Sequence, residues 1–127
     1  MIPPIYPTVA TDAGVSSVLG PNAERFYPFH DAPETPDTPY ALWQMIGGAP
    51  ENYVNQRPDI DGFSVQIDVY ADTVADAMNV AEKLRDAIEP HAYVVAWRGT
   101  VREPGTRLYR YSFDVDWLVS RPKPVTI

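Results

Sequence analysis

Three aspartates alternate along two segments that the sequence predicts to be β-strands. Asp68 belongs to segment 63–70, and Asp114 and Asp116 belong to segment 108–119. If these strands are neighbours, the three carboxylates share one polar face, where they could bind a hard cation or act as an acid–base pair. No EF-hand-like spacing accompanies them. The sequence therefore favours a solvated sheet face or a subunit contact.

The other residue types that carry chemistry are poorly placed for it. His30 and His91 are the only histidines, both near prolines in predicted loops, without the short spacing of a zinc site. Ser64 and Ser112 fall in mid-strand and not on a nucleophile elbow. The chain has no cysteine, which excludes disulfides, thiolate catalysis and cysteine-ligated metals. We therefore expect no catalytic residue, no metal and no cofactor, and a function exerted by contact with other proteins.

Charge is unevenly distributed between the two halves of the chain. Net charge is −7, and residues 1–61 carry eight acidic residues against two arginines. A chain this acidic gains little from phosphate counterion release, which disfavours nucleic-acid binding as its main function. Four arginines nevertheless gather on the last predicted hairpin, namely Arg98, Arg102, Arg107 and Arg110. Arginine pairs well with carboxylates across interfaces, so this hairpin is predicted to contact the acidic half of another subunit, head to tail, in a contact that can close into a ring.

Length and composition predict one domain. The 127 residues are 45% hydrophobic, enough for a real core, and no apolar run approaches a membrane span. The first residues lack the basic and apolar regions of a secretion signal, so synthesis in the cytoplasm is expected.

Periodicity and turn residues predict the elements. Short helical turns are expected over 3–20, with Asp12 capping the second. Thr73 is predicted to cap one long helix that ends at Pro90. Its predicted core stripe consists of Val74, Ala77, Met78, Ala81, Leu84 and Ile88. Extended segments are predicted at 25–29, 40–46, 63–70, 92–102 and 108–119.

Glycine and proline predict the connections between strands. Gly47-Gly48 is predicted to end a strand and to open a long hairpin loop over 48–62. Residues 103–106 suit a type II turn, with proline at its second position and glycine at its third. Hairpins combined with one long amphipathic helix predict an α+β fold of two layers: a mainly antiparallel sheet, the long helix packed on it, and short N-terminal helices.

Several segments, taken in order, indicate a family. These are Pro39–Gln44, Val65–Ala71 leading directly into the helix at Thr73, and Tyr109–Trp117. Val18–Gly20 followed by Arg25–Pro28 fits the same pattern. Together they resemble the tail-terminator, or tail-completion, proteins of long-tailed bacteriophages and related gene-transfer particles. The resemblance covers nearly the whole chain, so residues 1–127 are expected to form a single domain of this kind.

The resemblance implies a structural virion protein and not an enzyme. It implies a ring, typically a hexamer, on the head-proximal end of the tail tube, where it stops polymerisation and meets head-closure proteins. DNA would pass through the lumen without specific binding, and no membrane is involved. The family's long hairpin loop makes Tyr53 and Arg57 candidates for contact with a neighbouring ring.

An acidic lumen would let DNA slide without adhering, because carboxylates repel its phosphates. Two sets compete for that position: Asp31, Glu34 and Asp37, or Asp68, Asp114 and Asp116. A sheet edge could also pair with a strand of the neighbouring subunit. Two alternatives stay open, a head–tail adaptor or head-closure protein of the same particle, and a small α+β ligand-binding protein.

Overall fold

A computed structural model describes residues 2–52 and 57–122 as three α-helices and a five-stranded sheet. The helices are α1 (Ile5–Ala10), α2 (Ala13–Leu19) and α3 (Val74–Ile88), with a 3-10 turn at Pro21–Ala23. The strands are β1 (Phe26–Pro28), β2 (Tyr40–Pro50), β3 (Ile60–Ala71), β4 (Tyr93–Arg102) and β5 (Tyr109–Ser120). Their order is β1-β2-β3-β5-β4, and only β1 runs parallel to its neighbour. The predicted α+β class and mainly antiparallel sheet are confirmed.

Both predicted helix caps are present. Asp12 accepts a hydrogen bond from the backbone N–H of Val15 at 2.9 Å, which begins α2. The Thr73 hydroxyl accepts one from the N–H of Asp76 at 3.1 Å, which begins α3. Each cap satisfies a donor that has no partner within its helix.

Helix α3 lies on one face of the sheet and is buried by a stripe different from the predicted one. Ala77, Ala81, Leu84 and Ile88 are buried as expected, whereas Val74 and Met78 are 39% and 44% exposed. Val80 and Ala87, which the prediction left out, are buried.

The cause is the position of the N-terminal helices. Helix α2 packs on the flank of α3 that carries Lys83, whose side chain lies against Gly14. At about 100° per residue, Val80 and Ala87 belong to that flank and Met78 to the opposite one. The opposite flank, towards β4, has no helix over it among the described residues.

The β2–β3 hairpin is longer than predicted. Gly47 and Gly48 do not end β2, because they pair with Ser64 and Phe63 after a bulge at Ile46. Strand β2 continues to Pro50, so the loop is shorter than the predicted 48–62. A bulge absorbs one extra residue in one strand and lets the ladder resume, a feature invisible in the alternation pattern.

The turn between β4 and β5 also differs from the prediction. The N–H of Arg107 bonds the carbonyl of Glu103 at 2.8 Å, which makes a four-residue loop. The left-handed residue is Arg107, with φ of 62°, and Gly105 is not left-handed. The predicted type II turn at 103–106 was therefore wrong, although a hairpin does form there.

Candidate interaction surfaces

The three aspartates do lie on one face of the sheet, as their alternation predicted. Strands β3 and β5 are neighbours, and their register pairs Asp68 with Ser112, Gln66 with Asp114 and Ser64 with Asp116. This face, called here the outer face, is opposite to the one that packs on α3.

Each of these carboxylates already has a partner in the same chain. Asp68, only 5% exposed, accepts hydrogen bonds from Ser112 Oγ at 2.5 Å and Gln66 Nε2 at 3.0 Å. Asp116 is exposed and accepts one from Ser64 Oγ at 3.1 Å. Within residues 2–52 and 57–122 no group of His, Asp or Glu side chains has an arrangement able to hold a metal ion. The outer face is therefore a network of satisfied polar groups.

Arg98 completes this network from the edge strand. It lies at a bulge of β4 and makes three contacts with the Asp114 carboxylate, at 2.6, 2.9 and 3.0 Å. Hydrogen bonding to Asp114, followed by its charge, raises the pKa of the Arg98 guanidinium further above its ordinary value. Part of the charge that Arg98 was predicted to offer to another subunit is thus used inside its own.

The other hairpin arginines differ in how much charge they leave available. Arg110 forms an ion pair with Glu103, with a nitrogen–oxygen distance of 3.1 Å, although this nitrogen has no well-aligned hydrogen bond. Arg102 stacks over the Tyr109 ring at 5.2 Å and Arg107 is exposed. In the described part of the chain, neither Arg102 nor Arg107 forms a salt bridge.

The β4–β5 loop leans over one end of the outer face. Glu103, Gly105 and Thr106 line a cleft of about 210 Å³ together with Tyr40, Leu42 and Tyr70. The rings of Tyr40 and Tyr70 stack at 4.9 Å, and burial raises the pKa of both phenols above 10.0. Both hydroxyls therefore stay neutral near pH 7.

The second acidic set lies in the loop that joins β1 to β2. Asp31, Glu34 and Asp37 are all exposed. Because β1 is an edge strand and β4 is the other edge, this loop and the arginine-bearing hairpin belong to opposite edges of the sheet. Of the residues predicted to contact a neighbouring ring, Arg57 is exposed and Tyr53 lies outside the described residues.

Strand β4 carries an apolar surface that the sequence analysis missed. Tyr93, Val95, Trp97 and Val101 are 64%, 53%, 48% and 49% exposed along an edge with no strand beside it among the described residues. The signal was present, because residues 93–97 are all apolar where a strand with one wet face should alternate. Two bulges in β4 disturb the alternation.

An open groove of about 250 Å³ runs between α3 and this edge. The sheet side of the groove consists of Trp97 and Tyr111, and the helix side carries Met78, Glu82 and Arg85. Trp97 packs on Tyr111 and Phe113 with ring centroids 6.0 and 5.1 Å apart, so one side of its indole is fixed and the other is open. The groove, β4 and Arg102 together are called the β4 surface below.

A further ion pair joins the end of β5 to the start of β3. Arg121 donates two hydrogen bonds to Asp61, both at 2.8 Å. These bonds are the main cause that lowers the pKa of Asp61 below 3.8. No pattern in the sequence predicts this pairing.

The predicted absence of a catalytic centre concerned His30, His91, Ser64 and Ser112. Both histidines are exposed, and each serine donates to an aspartate on the outer face. No helix of the described segments is long and apolar enough to cross a membrane. The features described above are charged side chains, an open sheet edge and a groove.

Comparison with known proteins identifies the family of the chain. The family model described as "Tail completion protein gp17" matches residues 3–120. The chain belongs to this family. The resemblance seen in the sequence is thereby confirmed, and the chain is a structural tail protein of a phage-like virion.

The fold of this tail completion protein also occurs in a solved particle. A chain of "Virion of native gene transfer agent (GTA) particle" matches with a TM-score of 0.64 and 14% sequence identity, covering 91% of each chain. At that identity the likeness concerns the fold alone. Comparison with curated proteins finds no match.

Proposed function

We propose that this tail completion protein forms a ring, a hexamer as the family resemblance implies, on the head-proximal end of the tail tube. There it ends tube polymerisation and offers a surface to head-closure proteins, while DNA passes through the lumen. The observation that carries the proposal is the family match over residues 3–120. In the described residues the two sheet edges, β1 and β4, differ from each other. Unlike edges favour a head-to-tail ring over a two-fold dimer.

Contact with a neighbouring ring is proposed for Tyr53 and Arg57. Arg57 lies in the connection between β2 and β3 and is exposed. The apolar trough beside Met45, Ile46 and Phe63, of about 470 Å³, lies on the same hairpin. The described part of this hairpin carries apolar and basic groups, which suit a contact with a second ring.

The two acidic sets are unequal candidates for the lumen. Asp68 and Asp114 are buried and hydrogen-bonded, and Arg98 neutralises one of them. Asp116 remains exposed on the outer face, and Asp31, Glu34 and Asp37 are all exposed. Either set would repel DNA phosphates, although the second has more accessible charge.

A head–tail adaptor in the same particle is the nearest competing function. An adaptor would bind the head side but leave tube length undetermined. The ligand-binding alternative needs a cavity between helix and sheet, whereas Val65, Ile67 and Leu84 fill that space with no exposed surface. The observations therefore favour an assembly protein.

The test is to add purified protein to polymerising tube subunits of the same particle and to measure tube lengths by electron microscopy. Capping predicts density on one end of each tube and arrested growth. Tubes that grow unchanged with bare ends would overturn the proposal, and binding to ends without arrest would favour the adaptor. Native mass spectrometry of the protein alone gives the number of subunits.

The variant Arg57→Glu sharpens the test. It is expected to leave the ring mass unchanged and to reduce binding to tube ends, because the contact is between rings and not within one. Lys83→Glu, a charge reversal on the helical layer, is the matched control and should bind normally.

A further inference from the structure

The loop between β1 and β2 contains a three-residue repeat. Residues 31–39 read Asp-Ala-Pro, Glu-Thr-Pro, Asp-Thr-Pro, so an acid and a proline each recur at every third position. A period of three matches the polyproline II helix, in which such a repeat places acids along one edge and prolines along another. The stretch is called the acidic proline segment below.

The acidic proline segment is accessible in the subunit. Its three acids and Pro33 are exposed, and no helix or strand includes residues 31–39. Proline fixes φ, so the segment loses less conformational entropy on binding than a glycine-rich loop of equal length. In the free subunit the segment bends at residues 34–35 and 38–39.

The β4 surface has the chemistry that such a segment needs. Proline-rich segments bind grooves lined by aromatic side chains, and Trp97 and Tyr111 line this one. Arg102 lies on the same side of the sheet as Tyr111, because it pairs with Tyr109 two residues along β5. Of the four arginines in 93–110, Arg102 and Arg107 form no salt bridge among the described residues, against three acids and no lysine or arginine in 31–39.

We propose that the β4 surface binds the acidic proline segment of a second copy of this chain. Prolines pack against Trp97 and Met78, and the acids face Arg102. Glu82, on the helix side of the groove, would repel a carboxylate and so directs the acids towards Arg102. This inference rests on the proposed ring and names the contact that builds it.

The two surfaces belong to opposite edges of one subunit. Four strand spacings separate β1 from β4 in the sheet. At roughly 4.8 Å each they amount to about 19 Å. This separation favours a head-to-tail contact between copies, and its repetition closes a ring when the rotation permits.

The contact also assigns the two acidic sets to different tasks. With Asp31, Glu34 and Asp37 placed between subunits, the outer face with Asp68, Asp114 and Asp116 is left as the candidate lining of the lumen. The bulges and the left-handed Gly99 of β4 disfavour a continuous ladder with a neighbouring strand. Side chains, and not edge-to-edge strand pairing, then hold neighbours together.

Engineered cysteines test the contact directly, because the chain has none of its own. The double variant Thr35→Cys, Val95→Cys places one thiol in the acidic proline segment and one on β4, both at exposed positions. Mild oxidation is expected to give a ladder of covalent dimers, trimers and larger species on a denaturing gel. The control pair Ser17→Cys, Val95→Cys, with the first thiol on the exposed side of α2, should stay monomeric.

Charge reversal is the second part of this test. Adding Arg102→Glu to the cysteine pair is expected to reduce the ladder at least several-fold, and adding Glu34→Lys as well should restore it. A native ring without a ladder would overturn this inference and leave the proposed function intact. Bare tube ends together with monomers and no ladder would overturn both. If neither Arg102→Glu nor Glu34→Lys changes the amount of cross-linked product, the role of Arg102 is contradicted.

Discussion

Arg98 and Asp114 form a bidentate ion pair between the edge strand β4 and strand β5, with contacts of 2.6 to 3.0 Å. The two partners differ in exposure, because half of the Arg98 side chain meets solvent and only 11% of the Asp114 side chain does. Losing one partner therefore does not cost the same as losing the other.

This asymmetry gives the first prediction. Arg98→Met leaves a buried carboxylate without its main donor and is expected to lower the free energy of unfolding measurably. Asp114→Asn leaves a half-exposed guanidinium that water can solvate, and should lower it less. Urea unfolding of both variants, with Arg102→Met as an exposed control, measures the difference. Equal losses would contradict the role assigned to burial of Asp114.

The pair formed by Asp61 and Arg121 predicts a dependence of stability on acid. Hydrogen bonding to Arg121 lowers the pKa of Asp61 below its ordinary 3.8 in the folded chain. A lowered folded-state pKa stabilises the fold above the unfolded-state pKa, and this contribution is lost as the pH falls through the folded-state value. Asp61→Asn should therefore reduce the free energy of unfolding at pH 7. Between pH 4 and pH 2 the variant should lose less of this free energy than the unsubstituted protein does.

Urea unfolding at neutral and acid pH checks this. Glu51→Gln is a suitable control, since Glu51 is exposed and forms no salt bridge among the described residues. If Asp61→Asn and the parent lose equal stability on acidification, the ion pair does not contribute in the way proposed.

The exposed flank of α3 gives a third prediction. Leu84 is fully buried against the sheet, so Leu84→Ala should cost about 2–5 kcal/mol of unfolding free energy. Met78 is 44% exposed beside the groove, and Met78→Ala should cost less than about 1 kcal/mol. Thermal unfolding at a concentration where the protein is monomeric separates the two. A large loss at Met78 would instead support the stripe predicted from the sequence.

The predicted buried stripe of α3, which was only partly correct, illustrates what periodicity can and cannot predict. A spacing of three and four residues identified α3 and most of its core, because any amphipathic helix must bury one side. It could not show that α2 covers one flank and leaves Val74 and Met78 open on the other. That depends on tertiary packing of a separate segment, which no local pattern records.

The same limit holds for the candidate surfaces. The alternation of Asp68, Asp114 and Asp116 predicted a shared face, and adjacency of β3 and β5 confirms it. The pairing of Arg98 with Asp114 depends on a bulge, and that of Asp61 with Arg121 on residues 60 positions apart. Whether an arginine is available to another subunit is thus decided by features that the sequence does not reveal.

Two serines on the outer face supply a matched last test. Ser112 is buried and donates to the buried carboxylate of Asp68, whereas Ser64 donates to the exposed Asp116. Ser112→Ala removes a donor from a carboxylate that water reaches poorly, and should cost about 1–2 kcal/mol of unfolding free energy. Ser64→Ala should cost less than about 0.5 kcal/mol, because water replaces the lost donor. Urea unfolding of the two variants compares them directly. Similar costs at both sites would mean that Asp68 is solvated, and that the outer face presents two available carboxylates to a lumen and not one.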